Sequence, residues 1–307
     1  MKYIIFDLEW DNFYNYKTKN SINEIIEIGA VKLNDRLEIV DTYKQLIKPR
    51  FLKKLSKRCA DLTKISYDEM VEGGVAFEKA IDDFKKWSAA DDETVYLSWS
   101  MSDMYALAYY YSVIFGNCRI DFIKHFCDAQ QYCTVYVPTD KRHGNNQLSL
   151  AYCAEVFGIQ TDTEKLHRAL MDCYVTADCL KSVFDKDTFS KYVNDCDNVF
   201  FERLLYKPYL IVNPHTDIFD IDSVVLRCPE CNSVLNGAGD VAVKNKAFSF
   251  ATKCNKCNKP YWAFVRAKKT YDKVEVKQKL IVMNKRKAKH YQLSLIHISE
   301  PTRLALI

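Results

Sequence analysis

Residues 3–10 read Tyr3-Ile4-Ile5-Phe6-Asp7-Leu8-Glu9-Trp10. The apolar run marks a buried strand, and two carboxylates then interrupt it. Side chains alternate along a strand, so Asp7 and Glu9, two apart, project from one face. Adjacent like charges repel and raise each other's pKa unless a cation lies between them. A divalent ion is the usual compensation, and oxygen ligands suit Mg²⁺ or Mn²⁺. The competing reading is a strand end whose acids are merely solvated. This stretch alone does not separate the two.

The flanking sequence supplies a sheet. Asp11 to Asn20 is polar and reads as a loop, Glu24 to Leu33 as a second strand and Ile39 to Ile47 as a third. The short connection at Asn34-Asp35 predicts antiparallel pairing of those two. Residues 51–59 read as a short helix, Asp61 to Ser66 as a turn, and Val75 to Trp87 as a helix with Phe77, Ile81 and Phe84 at helical spacing. Val95 to Trp99 reads as a short buried strand, and Asp103 opens the helix after it. A strand over Phe122 to Asp128 and a helix near 129–133 follow. Next come an amphipathic helix over Leu148 to Phe157, closed by Gly158, and a longer helix over Arg168 to Phe184. Strands first, then strand–helix alternation, predict an α/β domain with a mixed sheet.

In such a sheet, ligands gather at the carboxyl ends of the strands. Asp103 follows a central strand there, and Asp172 sits on the last long helix, five residues after His167. Five residues correspond to about 140° around a helix, so His167 is expected in the loop before it, with Asp172 facing the site.

Phe6-Asp7-Leu8-Glu9, the strand Ile25 to Val31, Trp99 with Asp103, and His167-Arg168-Ala169 with Asp172 resemble the DEDDh 3′–5′ exonuclease superfamily. The resemblance spans residues 1–185 and implies a ribonuclease H-like mixed sheet flanked by helices. One departure is Ser100, where the family often has glycine after the tryptophan. The resemblance implies hydrolysis with two Mg²⁺ or Mn²⁺ ions held by Asp7, Glu9, Asp103 and Asp172, with Asp7 bridging both. Glu9 and Asp172 would complete the site that holds the attacking water. His167 would take the proton from that water, its ordinary pKa being close to working pH. The implied product is a 5′-mononucleotide, and the implied partners are 3′ ends of single-stranded RNA or DNA. Leu8 and Trp10 are candidates to touch the terminal base or sugar, or else belong to the core. Relatives are often dimers, which leaves a homodimer open. A catalytically silent nucleic-acid-binding or regulatory protein on the same fold is the alternative. His125 and His143 fit no spacing and read as structural or surface residues.

Composition agrees with a soluble globular chain: 307 residues, 48% hydrophobic and 27% charged. No apolar run is long enough to span a membrane, and no signal peptide precedes the first strand, so a cytoplasmic protein with reduced thiols is expected. The net charge of +4 is uneven. Residues 241–292 hold 15 Lys and Arg against Asp272 and Glu275, a net +13, which leaves −9 for residues 1–240. A basic module of that size points to a polyanion.

That module holds Cys228-Pro229-Glu230-Cys231 and Cys254-Asn255-Lys256-Cys257, two C-x-x-C pairs separated by 22 residues. Four thiolates so arranged make a closed tetrahedral set, as in a structural zinc ribbon. Disulfides or a redox pair are the competing readings; the absence of export signals and the basic flanks favour Zn²⁺. The pattern predicts a packed connector over 186–222, a small four-cysteine zinc ribbon over 223–270 and a basic tail over 271–292. Around the cysteines, Lys244, Lys246, Lys253, Lys256, Lys259, Arg266, Lys268 and Lys269 interleave with Phe248, Phe250, Tyr261, Trp262 and Phe264. Cations beside aromatic faces suit single-stranded nucleic acid, although a module this small needs at least half of those aromatics for its core. Residues 293–307 resemble the translation of a transposase sequencing adapter, an artefact set aside from fold reasoning.

Overall fold

The computed structural model describes residues 2–16, 19–141, 148–161, 168–236 and 240–283. The chain divides into two compact units, residues 1–205 and 206–307.

The first unit is built on a mixed sheet. Its strands are β1 (Tyr3–Asn15), β2 (Asn20–Leu33), β3 (Ile39–Leu46), β4 (Val95–Ser98), β5 (His125–Asp128) and β6 (Val193–Asp195). Their order is β3-β2-β1-β4-β5-β6. β1 pairs antiparallel with β2 and parallel with β4; β5 is parallel to β4, and β6 antiparallel to β5. The helices are α1 (Lys57–Thr63), α2 (Tyr67–Gly73), α3 (Phe77–Ser88), α4 (Met101–Phe115), α5 (Ala129–Thr134), α6 (Leu150–Val156), α7 (Ala169–Val183), α8 (Lys186–Phe189) and α9 (Asn198–Leu205). This is the ribonuclease H-like architecture expected from the sequence.

The alternation of β1 sorts its side chains into two cores. Ile4, Phe6 and Leu8 pack with Phe84 of α3, Met104 and Leu107 of α4 and Phe201 of α9. Tyr3 and Ile5 pack on the other face with Tyr132 of α5, Cys153 of α6 and Leu180 of α7. Asp7 and Glu9 share the parity of Tyr3 and Ile5, so they emerge on the α7 side. The β1–β2 register shifts between Glu9 and Trp10: Glu9 faces Glu27, but Trp10 faces Ile25. This bulge turns Ile26 away to a small cluster with Leu52, Cys59 and Met70.

Three local expectations change. Asp11 to Asn20, read as a loop, instead extends β1 to Asn15 and starts β2 at Asn20, because the two strands keep pairing beyond the bulge. The helix read over 51–59 begins only at Lys57. Its would-be first turn is committed elsewhere: the N–H groups of Arg50, Phe51 and Leu52 donate to the buried Glu24 carboxylate. Residues 186–222 are not one connector. α8, β6 and α9 complete the first unit, with Phe201 fully buried, whereas the end of the stretch belongs to the second.

The second unit contains β7 (Tyr209–Ile211), β8 (His215–Thr216), β9 (Phe219–Asp220), β10 (Ala242–Lys244), β11 (Ala247–Lys253), β12 (Pro260–Lys269) and β13 (Val274–Val282). β10-β11-β12-β13 form an antiparallel sheet, and β7 pairs with β12. β13 corrects the expected basic tail. Val274, Val276, Leu280 and Val282 alternate with Glu275, Lys277, Lys279 and Ile281, and the strand pairs with β12 from Lys269 to Tyr261. One sheet face carries the core: Phe248, Phe250, Tyr261, Ala263, Val265 and Ala267 are all buried. The basic run at 285–289 and residues 293–307 lie outside the described residues. No helix among the described residues is long and apolar enough to cross a membrane.

Candidate active site

The site begins with a close approach. Gly29 of β2 lies opposite Asp7 of β1. A Cβ at Gly29 would come within 2.2 Å of the Leu170 nitrogen and 2.4 Å of the Ala169 carbonyl carbon. Only glycine lets the first turn of α7 rest on the sheet at this point. The Cys173 thiol then donates to the Gly29 carbonyl at 3.3 Å. The result places Asp172 beside the β1 acids: ligand oxygens of Asp7, Glu9 and Asp172 all lie within 4.8 Å of one another.

The start of α7 has no side-chain cap of its own. Glu27 of β2 takes that role. Its carboxylate, wholly inaccessible, accepts the Ala169 N–H at 3.3 Å and Arg168 Nη2 at 2.8 Å, with Lys44 Nζ at 3.5 Å. An anion at a helix N-terminus is favoured by the free N–H groups there and by the helix dipole.

Asp103 arrives from the other edge of β1. The β1–β4 pairing stops at Ile5 and Leu97, which leaves later β1 amides without a strand partner on that side. Asp103, in the first turn of α4, supplies one: its Oδ1 accepts the Leu8 N–H at 3.3 Å. Ser100 caps α4, accepting the Ser102 N–H at 3.1 Å with an extended φ of −144°. The turn therefore has no need of the glycine that the family often carries there.

Burial and mutual repulsion dominate the electrostatics. Desolvation, then Asp103, Asp172, Glu9 and Glu27, push the Asp7 carboxyl well above the usual carboxylate range. Desolvation, then Asp172, Glu27 and Asp103, push Glu9 up to about 8, against a lowering by Arg168. Desolvation likewise raises Asp103 to about 7, although the Leu8 N–H opposes it. The carboxylates raise one another's pKa more than Arg168 lowers that of Glu9, and an all-oxygen donor set suits a hard divalent cation.

Of the residues expected to form the site, Asp7, Glu9, Asp103 and Asp172 come together. His167 lies outside the described residues, and α7 begins two positions after it. Leu8 is 3% exposed and packs in the core, and its N–H donates to Asp103 Oδ1. Trp10 is half-buried against the same core. His125 is structural, bridging Asp195 Oδ1 and the Asp92 carbonyl. His143 lies outside the described residues. Glu27 and Gly29 were not singled out by the sequence reading. The available signal was one glutamate and one glycine inside the otherwise apolar run from Ile25 to Val31.

The four paired cysteines also converge. Cys228, Cys231, Cys254 and Cys257 place their sulfurs within 4.8 Å of one another, with Cys228–Cys257 and Cys231–Cys254 each at 3.5 Å. A tetrahedral zinc–thiolate site needs sulfurs about 3.8 Å apart, from Zn–S bonds of about 2.3 Å. The two knuckles have one geometry. Asn232 and Asn258, each just after the second cysteine, adopt φ of 59° and 62° and donate their N–H groups to the Cys228 and Cys254 carbonyls. None of the twelve cysteines is in a disulfide.

Comparison with known proteins gives the following relatives. The chain is 34% identical over 108 residues to the "Probable 3'-5' exonuclease KapD" of Bacillus subtilis (strain 168), covering 35% of this chain and 48% of that one. It is 28% identical over 156 residues to "3'-5' exoribonuclease 1" of Mus musculus, covering 46% and 41% respectively. The chain thus spans less than half the length of these curated relatives. Among solved structures, the nuclease domain of 3'hExo, described as a DEDDh family member bound to rAMP, aligns with a TM-score of 0.49 at 22% identity, covering 59% of this chain and 90% of that one. The RNase_T family model, described as "Exonuclease", matches residues 4–180, more than half of the chain, and the protein belongs to that family.

Proposed function

We propose that this protein is a metal-dependent 3′–5′ exonuclease that removes 5′-mononucleotides from the 3′ end of single-stranded RNA or DNA. The observation that carries the reading is the convergence of Asp7, Glu9 and Asp172 within 4.8 Å beside the buried Asp103. So concentrated a set of carboxylates gains little as scaffold, because each raises the cost of ionising the others. It gains a great deal as a cation site.

Asp7, Glu9 and Asp172 would hold Mg²⁺ or Mn²⁺, with Asp103 adding a fourth negative charge behind them. When bound, two such ions stabilise charge on the attacking and leaving oxygens of a phosphoryl displacement. The chain's own contribution is placement. The Gly29 contact fixes Asp172 over β1, and the Glu27–Arg168 pair fixes the entry to α7. His167, just before that entry, would accept the proton of the attacking water. The four cysteines would hold one structural Zn²⁺, with no open coordination position for chemistry. A cytoplasmic setting would keep the remaining thiols reduced.

The test uses 5′-labelled single-stranded RNA and DNA of one sequence, with Mg²⁺ or Mn²⁺, beside Asp7→Ala. A ladder shortening from the 3′ end, absent in the variant and without divalent ions, is the expected result, and it names the preferred sugar. No shortening of either strand by folded, zinc-loaded protein would favour a silent binding protein instead.

A further inference from the structure

The aromatic and basic residues around the cysteines fall on two different sides of the β10–β13 sheet. Phe248, Phe250 and Tyr261 are buried in the core. Trp262 and Phe264 alternate with buried neighbours along β12, so they stand on the opposite face, half-exposed. Antiparallel register shows what surrounds them. Arg266 lies opposite Lys277 of β13, one position beyond the Phe248–Val265 pair of β11 and β12, and Lys244 of β10 lies across from Ala247 of β11. Phe264 lies between Ser249 and Lys279, and Trp262 between Ala251 and Ile281. Directly opposed residues share a face. The outer face is thus an aromatic ridge along its central strand, with small side chains on one flank and cations around it.

This face has the form of a receptor rather than of a solvated surface. Lys244, Ala247, Phe264, Arg266, Lys277 and Lys279 line one shallow groove across all four strands. None of its four cations makes an ion pair among the described residues. Glu275 is the one acid that the described strands place on this face, and it lies opposite Lys268 at the far end, with Lys273 at 3.7 Å. An ordinary charged surface intersperses both signs. Along the groove itself the sign is uniform, the small residues of β11 leave the Phe264 ring accessible from the side, and the ring is rigid.

We propose that the outer face of the β10–β13 sheet is a binding platform for single-stranded nucleic acid, with Phe264 as a base-stacking residue and Lys244, Arg266, Lys277 and Lys279 as phosphate contacts. The chemistry of the face selects this occupant. Unpaired cations require a polyanion, and an aromatic ring between them requires that polyanion to offer flat apolar faces along its length. A duplex hides its base faces, and an acidic peptide has no regular series of them. The platform deepens the exonuclease reading, on which it rests: it would keep a strand tethered on the same chain that trims it, which raises the local concentration of strand at the site.

The test measures binding, so its failure is distinguishable from failure of the exonuclease reading. Full-length Asp7→Asn, which cannot trim its ligand, is titrated into 5′-fluorescein dT20 and U20 at several salt concentrations, followed by anisotropy. Phe264→Ala is expected to weaken binding about tenfold, with Phe264→Tyr restoring it. Lys277→Glu/Lys279→Glu is expected to weaken binding at least tenfold and to flatten the logarithmic salt dependence by about 1 to 2 units. Zinc content and thermal midpoint, unchanged in each variant, establish that the unit remains folded. In the catalytically competent background, the same variants are expected to leave turnover of a trinucleotide unchanged, since so short a strand has no use for a tether. Unaltered affinity and salt slope in both variants would overturn the proposal. So would binding that is indifferent to salt, since phosphate contacts weaken as salt rises.

Discussion

Arg168 Nη2 reaches Glu27 Oε1 at 2.8 Å across 141 positions of sequence, and the same carboxylate accepts the first N–H of α7. Glu27 is wholly buried and faces Glu9 across the β1–β2 ladder. The pair therefore joins the sheet to the helix that carries Asp172, and it puts a guanidinium near the acids. Arg168→Ala would leave a buried carboxylate with only Lys44, itself half-exposed, as its cation among the described residues. Stability is expected to fall by about 3 kcal/mol, as for a buried pair broken from one side. Glu27→Gln keeps the shape and is expected to cost less, about 1.5 kcal/mol, the scale of a lost charge-assisted hydrogen bond. Urea midpoints measure both. Equal midpoints for the two variants and the parent would remove Glu27 from the account of how α7 is held.

Acid pKa values raised in the folded state fix the direction of the pH dependence. Unfolded carboxyls titrate near about 4, whereas burial and repulsion hold Glu9 at about 8 and Asp103 at about 7. Below the unfolded value all are protonated in both states, and stability is highest with respect to these groups. As pH rises, the unfolded chain releases its protons first, so the metal-free folded state loses stability progressively until about pH 8. Divalent ions compete with those same protons. The thermal midpoint without Mg²⁺ or Mn²⁺ is expected to fall from pH 5 to pH 8, and the increment on adding either ion to grow over that interval. A metal increment that shrinks with pH would contradict the carboxylate assignment.

Removing one acid should separate stability from chemistry. Asp7 is repelled by four carboxylates. Asp7→Asn is isosteric and relieves part of that repulsion. The metal-free variant is expected to be more stable than the parent by about 1 kcal/mol above pH 7, a gain in midpoint of about 2–4 °C, while turnover is lost. Differential scanning calorimetry beside the labelled-strand assay reads both. Lower stability in the variant would mean that Asp7 serves the fold.

What was readable in the sequence was what local rules control. Two-residue alternation puts Asp7 and Glu9 on one face, helical spacing brings Asp172 to the sheet, and paired C-x-x-C turns announce a four-sulfur cluster. What was not readable came from partners distant in sequence. Glu24 takes the amides of residues 50–52, which delays α1 to Lys57, and Asp11 holds its Ser56 cap through Oδ1 at 2.9 Å. Asp11 to Asn15 looks like a loop because its residues are polar, yet pairing with β2 keeps it extended. β13 was masked by its lysines. Its valines and leucine alternate with them, but one face of the strand is meant to be charged, and the alternation reads as a tail until β12 is placed beside it.

Gly29 is the position where sequence and site geometry meet most closely. With Leu170 and Ala169 backbone atoms at 2.2 and 2.4 Å from a would-be Cβ, no rotamer change relieves Gly29→Ala; α7 must lift. Overpacking of this kind costs about 1–3 kcal/mol or more. Because α7 carries Asp172, the expected outcome is also a lower affinity for Mn²⁺, measured by calorimetric titration of protein that is still folded at room temperature. By contrast, Gly73 has open space around it, and Gly73→Ala is expected to leave the Mn²⁺ titration unchanged. Equal Mn²⁺ affinity in Gly29→Ala and the parent would show that the carboxylate cluster does not depend on this contact.

If the cysteine cluster holds the proposed zinc, it would tie the fold of the second unit to that metal. That unit's core is small, and its two knuckles are closed by their own backbone hydrogen bonds around Cys228 and Cys254. Structural zinc sites contribute about 10–16 kcal/mol of apparent binding free energy, more than so small a unit can otherwise gain from burial. Purified protein is expected to carry one Zn²⁺ per chain by elemental analysis. Cys254→Ser is expected to lose that metal and to unfold the β10–β13 sheet, seen as rapid hydrogen exchange from Phe248 to Val265, while exchange in β1 and β4 stays slow. The first unit has its own two cores around β1, so its protection does not rest on the zinc. Slow exchange in β11 and β12 of the zinc-free variant would show that the aromatic core suffices without the metal.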